Sequence, residues 1–87
     1  RPAGIVSYSL GGFGGVRAAI QLRSFLGEMG MPTISSMVAI SKITDFLDPD
    51  GQPQSESLPK RLDSFLDELE WYEEALQNQR KAKGTPY

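Results

Sequence analysis

The sequence predicts an α/β domain built on a parallel sheet. Three observations carry that reading. Two short apolar runs have strand character, at residues 3–9 and 33–41. Each is followed by a longer stretch with helical spacing of its apolar residues, and four glycines stand in "GGFGG" between the first run and its helix. Two consecutive strand–helix units imply parallel strands joined by right-handed crossovers. A parallel sheet of two strands needs neighbours and cover on both faces, so the pattern describes part of a larger domain. The chain opens on "RPAGIVSYS" rather than on methionine, which fits a piece entered at a strand. Roughly another hundred residues N-terminal to Arg1 are expected, enough for three more strand–helix units in a domain of ordinary size.

Residues 3–9 are short, mostly apolar, and bounded by Pro2 and the glycines, as a buried parallel strand would be. From Val16 to Met29, Ala19, Leu22, Leu26 and Met29 recur at helical spacing, with Arg17, Gln21, Ser24 and Glu28 opposite. Gly30 and Pro32 end that helix. "TISSMVAIS" is β-branched and apolar in its second half, a second strand, and "LDPDGQPQSES" supplies turn residues. The last helix is expected over residues 58–81, with Leu58, Leu62, Phe65, Leu69, Tyr72 and Leu76 forming one seam at alternating steps of four and three. Ser57 is the expected N-cap, and Pro59 in the first turn removes a donor that has no helical acceptor. The early acids and the late "RKAK" both suit the helix dipole.

Composition excludes several kinds of chemistry. The chain has 87 residues, nine Lys and Arg against eleven Asp and Glu, and a net charge of -2. Scattered cations give no footprint for nucleic acid or an anionic membrane. There is no cysteine and no histidine, so disulfides, thiolate nucleophiles, zinc–thiolate sites and the commonest general base are absent. Any chemistry falls to a bound cofactor. No run approaches the roughly 18 apolar residues of a membrane span, and no signal-peptide pattern opens the chain, which suits the cytoplasm.

The glycine loop joins the C-terminal end of a strand to the N-terminus of a helix, where peptide N–H groups can approach an anion or a planar ligand closely. It is not a Walker A loop, since no Gly-Lys-Ser/Thr follows. It is not the dinucleotide fingerprint either, since counting from Gly12 and Gly14 puts Arg17 at the third glycine. Spacing alone leaves two readings open, a ligand cradle or a tight turn with close helix–sheet packing. "DPDG" is a turn rather than a calcium loop, because Gly51 at the sixth position would make Phe46 the first ligand and Ser57 the twelfth. Asp67, Glu68, Glu70, Glu73 and Glu74 lie mostly off the apolar seam and read as a solvated face. Trp71 is also off the seam, either lying on its own domain or forming a subunit contact.

"IVSYSLGGFGGVRAAIQLR", followed by "DPDGQ" and "RLDSFLDELEWYEEAL", resembles the C-terminal half of the NADPH-dependent FMN reductases over nearly the whole chain. The resemblance implies a flavodoxin-like three-layer fold with strand order 2-1-3-4-5, FMN at the C-terminal ends of the strands, and this chain supplying the last two βα units. The family's phosphate loop after its first strand and its tyrosine-asparagine loop after its third have no counterpart here. Its third flavin-contacting loop falls on Ser7, Ser9, Gly11, Gly12, Phe13, Gly14 and Gly15. Bare backbone there would let the chain lie against an isoalloxazine ring.

In such a protein NAD(P)H delivers hydride to flavin N5, and the reduced flavin passes electrons to a small acceptor such as free flavin, a quinone, an azo compound or a metal oxyanion. No catalytic side chain and no metal is implied, only backbone dipoles that hold the ring and stabilise its charge. The resemblance also implies a homo-dimer or tetramer. The contrasting expectation is a non-catalytic fragment or interaction module, with the last helix as a docking face and no flavin.

Overall fold

The computed structural model describes residues 1–86, in the order β1 (Ala3–Tyr8), α1 (Val16–Glu28), β2 (Thr33–Ile40), a 3-10 turn (Ile43–Asp45) and α2 (Ser57–Lys83). β1 and β2 pair in parallel, as two successive strand–helix units require. Each strand is one residue shorter than the sequence reading, although the Ser9 N–H still reaches the Ile40 carbonyl at 3.0 Å. The 3-10 turn was not expected from the sequence.

Ser57 is not the N-cap of α2. The helix begins at Ser57 itself, Glu56 occupies the cap position, and no side chain caps it. The first helical bond there runs from Lys60 N to Glu56 O, 3.1 Å, so Pro59 lies among the positions that have no acceptor to lose. The "DPDG" segment is the expected turn. Asp48 Oδ1 accepts the N–H groups of Asp50 (2.9 Å) and Gln52 (2.8 Å), and Gly51 takes φ 82°.

The core lies between β2 and α2. Ile34, Val38, Ile40, Leu58 and Phe65 are buried together, with Leu62, Leu69 and Tyr72 of the α2 seam packed against them. Phe65 rests on the backbone of β1, because a Cβ added at Gly4 would run into its ring. Gly4 therefore sets the depth at which α2 settles on the sheet.

The seam of α1 is largely uncovered. Ala19 is buried, yet Met29 is 64% exposed and Leu22 and Phe25 face solvent too. Strands lie about 4.8 Å apart, whereas a helix with its side chains is roughly 10 Å across. Two strands thus cover only part of the α1 face, whereas the core that α2 closes is widened by Ile43, Phe46 and Leu47 from the chain after β2. Trp71 leans on Tyr72, ring centroids 5.1 Å apart and edge-on, and remains 66% exposed, so it does not lie on the body of the domain.

Between the pairs Ala3↔Thr33 and Ile5↔Met37 the register slips, β2 using more residues than β1. Such an irregularity frees backbone groups that need other partners. Arg23 of α1 donates to the Ile34 carbonyl (2.9 Å), and Glu68 of α2 accepts the Ser36 N–H (3.1 Å). Both helices are in this way tied to one flaw in the sheet.

Candidate functional site

The loop between β1 and α1 sits at the C-terminal end of the sheet and is held by its own serines. Ser7 Oγ donates to the Gly14 carbonyl at 2.6 Å. Ser9 Oγ donates to the Gly11 carbonyl (2.9 Å) and accepts the Gly14 N–H (2.8 Å). The chain after β2 adds two backbone bonds, Lys42 N to Gly11 O (2.8 Å) and Ile43 N to Ser9 O (3.0 Å). Both hydroxyls are therefore spent inside the loop. Of the sequence-expected positions, Ser7 and Ser9 build the scaffold, and what remains to meet a ligand is backbone and the Phe13 ring.

The four glycines divide into two pairs with different reasons for being glycine. Gly14 has φ 64° and Gly15 φ 74°, the left-handed region that side chains avoid. A Cβ at Gly14 would come within 3.1 Å of the Ala39 backbone, and one at Gly15 within 3.1 Å of Ser7 Cβ. Those two make the turn and let α1 start against the strands, Gly15 serving as its N-cap. Neither condition holds for Gly11 and Gly12. Neither takes a positive φ, and a Cβ on either would meet nothing among the described residues within 4 Å.

Around the second pair the surface is open and rich in hydrogen-bond donors. Among the described residues no hydrogen bond uses the N–H of Leu10, Gly11, Gly12 or Phe13. The first turn of α1 carries no acid, so nothing offsets the positive end of its dipole. Phe13 is 81% exposed, and the Arg17 guanidinium lies 6.0 Å from its ring centroid, at the limit of a cation–π contact. A groove of about 510 Å³ lined by Arg1, Pro32, Leu76, Arg80 and Lys83 is at the opposite end of the sheet, where the strands begin. The loop is one wall of a site rather than an enclosed cavity.

Bare glycines, free amide donors and a helix N-terminus at the C-terminal end of parallel strands are features shared by ligand-binding loops of parallel α/β domains. The sequence model of the NADPH-dependent FMN reductase family matches residues 1–45, more than half of the chain, from β1 through the 3-10 turn. The chain belongs to that family, a family of flavin-dependent NAD(P)H reductases. Neither curated proteins nor solved structures yield a match. The α2 portion of the resemblance lies beyond the matched span. Among the described residues no helix is long and apolar enough to cross a membrane, and no cluster of acids could hold a metal ion.

Proposed function

We propose that this chain is the C-terminal half of an FMN-binding, NAD(P)H-dependent reductase and that its Gly11–Gly12 backbone forms one wall of the flavin site. One observation carries the reading: Gly11 and Gly12 lack any reason within the fold to be glycine, so their bareness serves something outside it. The donor set suits the cofactor, since a flat ring with carbonyl and ring-nitrogen acceptors can lie on the backbone and take the free N–H groups of Leu10 to Phe13. FMN, when bound between this wall and the rest of the site, would supply the redox chemistry of hydride uptake from NAD(P)H and electron transfer to a small acceptor. The residues of the chain bind and orient. Gly11 and Gly12 give close approach, Ser7 and Ser9 keep the loop rigid, and the Phe13 ring borders the opening. Assembly as a homo-dimer or tetramer, in the cytoplasm, completes the proposal.

Gly12→Val in the complete polypeptide tests it. Because the new side chain has open space and no positive φ to satisfy, folding stability should move by no more than about 0.5 kcal/mol. FMN affinity should fall by about tenfold or more, the equivalent of 1.4 kcal/mol. Gly14→Val is the control, since it forces a β-branched residue into the left-handed region at a cost of roughly 1–3 kcal/mol or more and should damage the fold itself. Flavin retained at wild-type affinity by folded Gly12→Val would show that the loop serves only as a turn.

A further inference from the structure

Lys42 is the only residue besides glycine that takes a positive φ among the described residues, at φ 48° and ψ 58°. A long side chain carries a steric penalty there that glycine avoids. The backbone bonds at this position do not call for lysine. Its N–H donates to the Gly11 carbonyl and its carbonyl accepts the Asp45 N–H, both at 2.8 Å, and any residue but proline would supply the pair. Its side chain is exposed and forms no ion pair among the described residues. The strain has no return inside the fold, and an outlier of that kind points to use outside it.

What the strained backbone achieves is placement. With its amide on the Gly11 carbonyl, Lys42 is rooted beside the one glycine pair that the fold does not explain. Its flexible four-carbon stem can carry the ammonium across that pair. The loop itself, residues 9–15, holds no charged residue, and Asp45 in the following turn is the acid nearest to Lys42 along the chain. Lys42 and Arg17 thus flank a rim that already has free amides and the positive end of a helix dipole, in a chain whose net charge is -2. Such a rim favours a ligand that becomes negative over one that is negative only at a distant phosphate.

We propose that Lys42 is a charge-supplying residue of the flavin site, its ammonium held beside Gly11 to favour the ring in its reduced, negatively charged form. The proposal rests on the flavin reading above. It is tested in the complete, FMN-loaded polypeptide with Lys42→Gln, Lys42→Gly and Lys42→Arg. The readouts are the midpoint potential, the FMN dissociation constant, and the melting temperature of the flavin-free protein. Lys42→Gly should melt higher than wild type, because it relieves the backbone, and yet hold flavin at a lower potential. Lys42→Gln should lower the potential too, and Lys42→Arg should keep it. A tenfold loss of preference for the reduced form corresponds to a fall of about 30 mV for a two-electron couple. The difference should shrink as salt is raised. An unchanged potential in both Lys42→Gln and Lys42→Gly overturns the proposal. So does an equal loss of affinity for oxidised and reduced flavin, or a raised KM for NADPH alone, either of which would assign the ammonium to a phosphate. A wild-type polypeptide that binds no FMN overturns the flavin reading itself, a result recognisable before any variant is made.

Discussion

Along the outer edge of β2, Arg61 of α2 donates to the Ala39 carbonyl at 3.1 Å. That carbonyl points away from β1, because its neighbour Ile40 uses its own on Ser9 and successive residues of a strand alternate. Among the described residues the outer edge of β1 has no such cover. Its six residues, "AGIVSY", include no charge and no proline, and Tyr8 on it is 69% exposed, with Val6 beside it also open. Edge strands that end a sheet are normally blunted by charges, by proline or by a covering element. β2 carries the protection of a terminal strand, whereas β1 carries none of the devices that blunt an edge. The contrast extends to the helices, since α2 buries its seam and α1 leaves most of its apolar residues in solvent.

The largest effect on this contrast should come from its finished side. Phe65 is buried in the core and also rests on Gly4, so Phe65→Ala removes packing against both strands at once. Loss of a buried aromatic costs about 3–5 kcal/mol, a large fraction of what a small domain possesses. Urea unfolding of the variant should show little cooperative structure left. A loss below 1 kcal/mol would mean that α2 is not what holds the sheet.

Periodicity made much of this legible. The α2 seam at steps of four and three is the seam that packs, and all four regular elements fall within two residues of their expected bounds. The seam of α1 was equally visible and is mostly exposed, because spacing shows which face is apolar and not whether anything covers it. Gly4 gave no signal, since a lone glycine in a strand is silent until a ring is seen above it. The register slip, with Arg23 and Glu68 repairing it, depends on tertiary placement that no local pattern encodes. At the loop, "GGFGG" announced a need for bare backbone. Only φ values and the space around each Cβ separate the pair required by the turn from the pair that is free.

A charge on the unfinished side should have an effect that depends on what else is present. Val6→Lys places an ammonium on the exposed edge of β1. In the 87-residue chain alone it should change stability by no more than about 0.5 kcal/mol and should reduce self-association, which light scattering would follow. In the complete polypeptide the same lysine would be buried against the next strand, at a cost of about 2–3 kcal/mol. Equal and small effects in both would show that β1 is a true edge and that no further strand pairs with it.

The smallest expected effect falls on the side chain that marks β2 as terminal. Arg61→Ala removes the donor from the Ala39 carbonyl but leaves the core, the register and the site untouched. Because the guanidinium is exposed, water can replace part of what is lost, and the change should stay near 0.5–1 kcal/mol. Stability is not where the role of Arg61 should show best. With its charge gone, β2 presents an unguarded carbonyl beside apolar neighbours, so the variant should associate more readily than wild type at equal stability. Arg61→Lys keeps a charge at the edge without the planar fork, and it should restore solubility while recovering only part of the stability. Sedimentation of the two variants at matched concentration separates these effects. If Arg61→Ala stays as monodisperse as the parent chain, the arginine is only a hydrogen-bond donor, and the outer edge of β2 is protected by the bulk of α2 rather than by its charge.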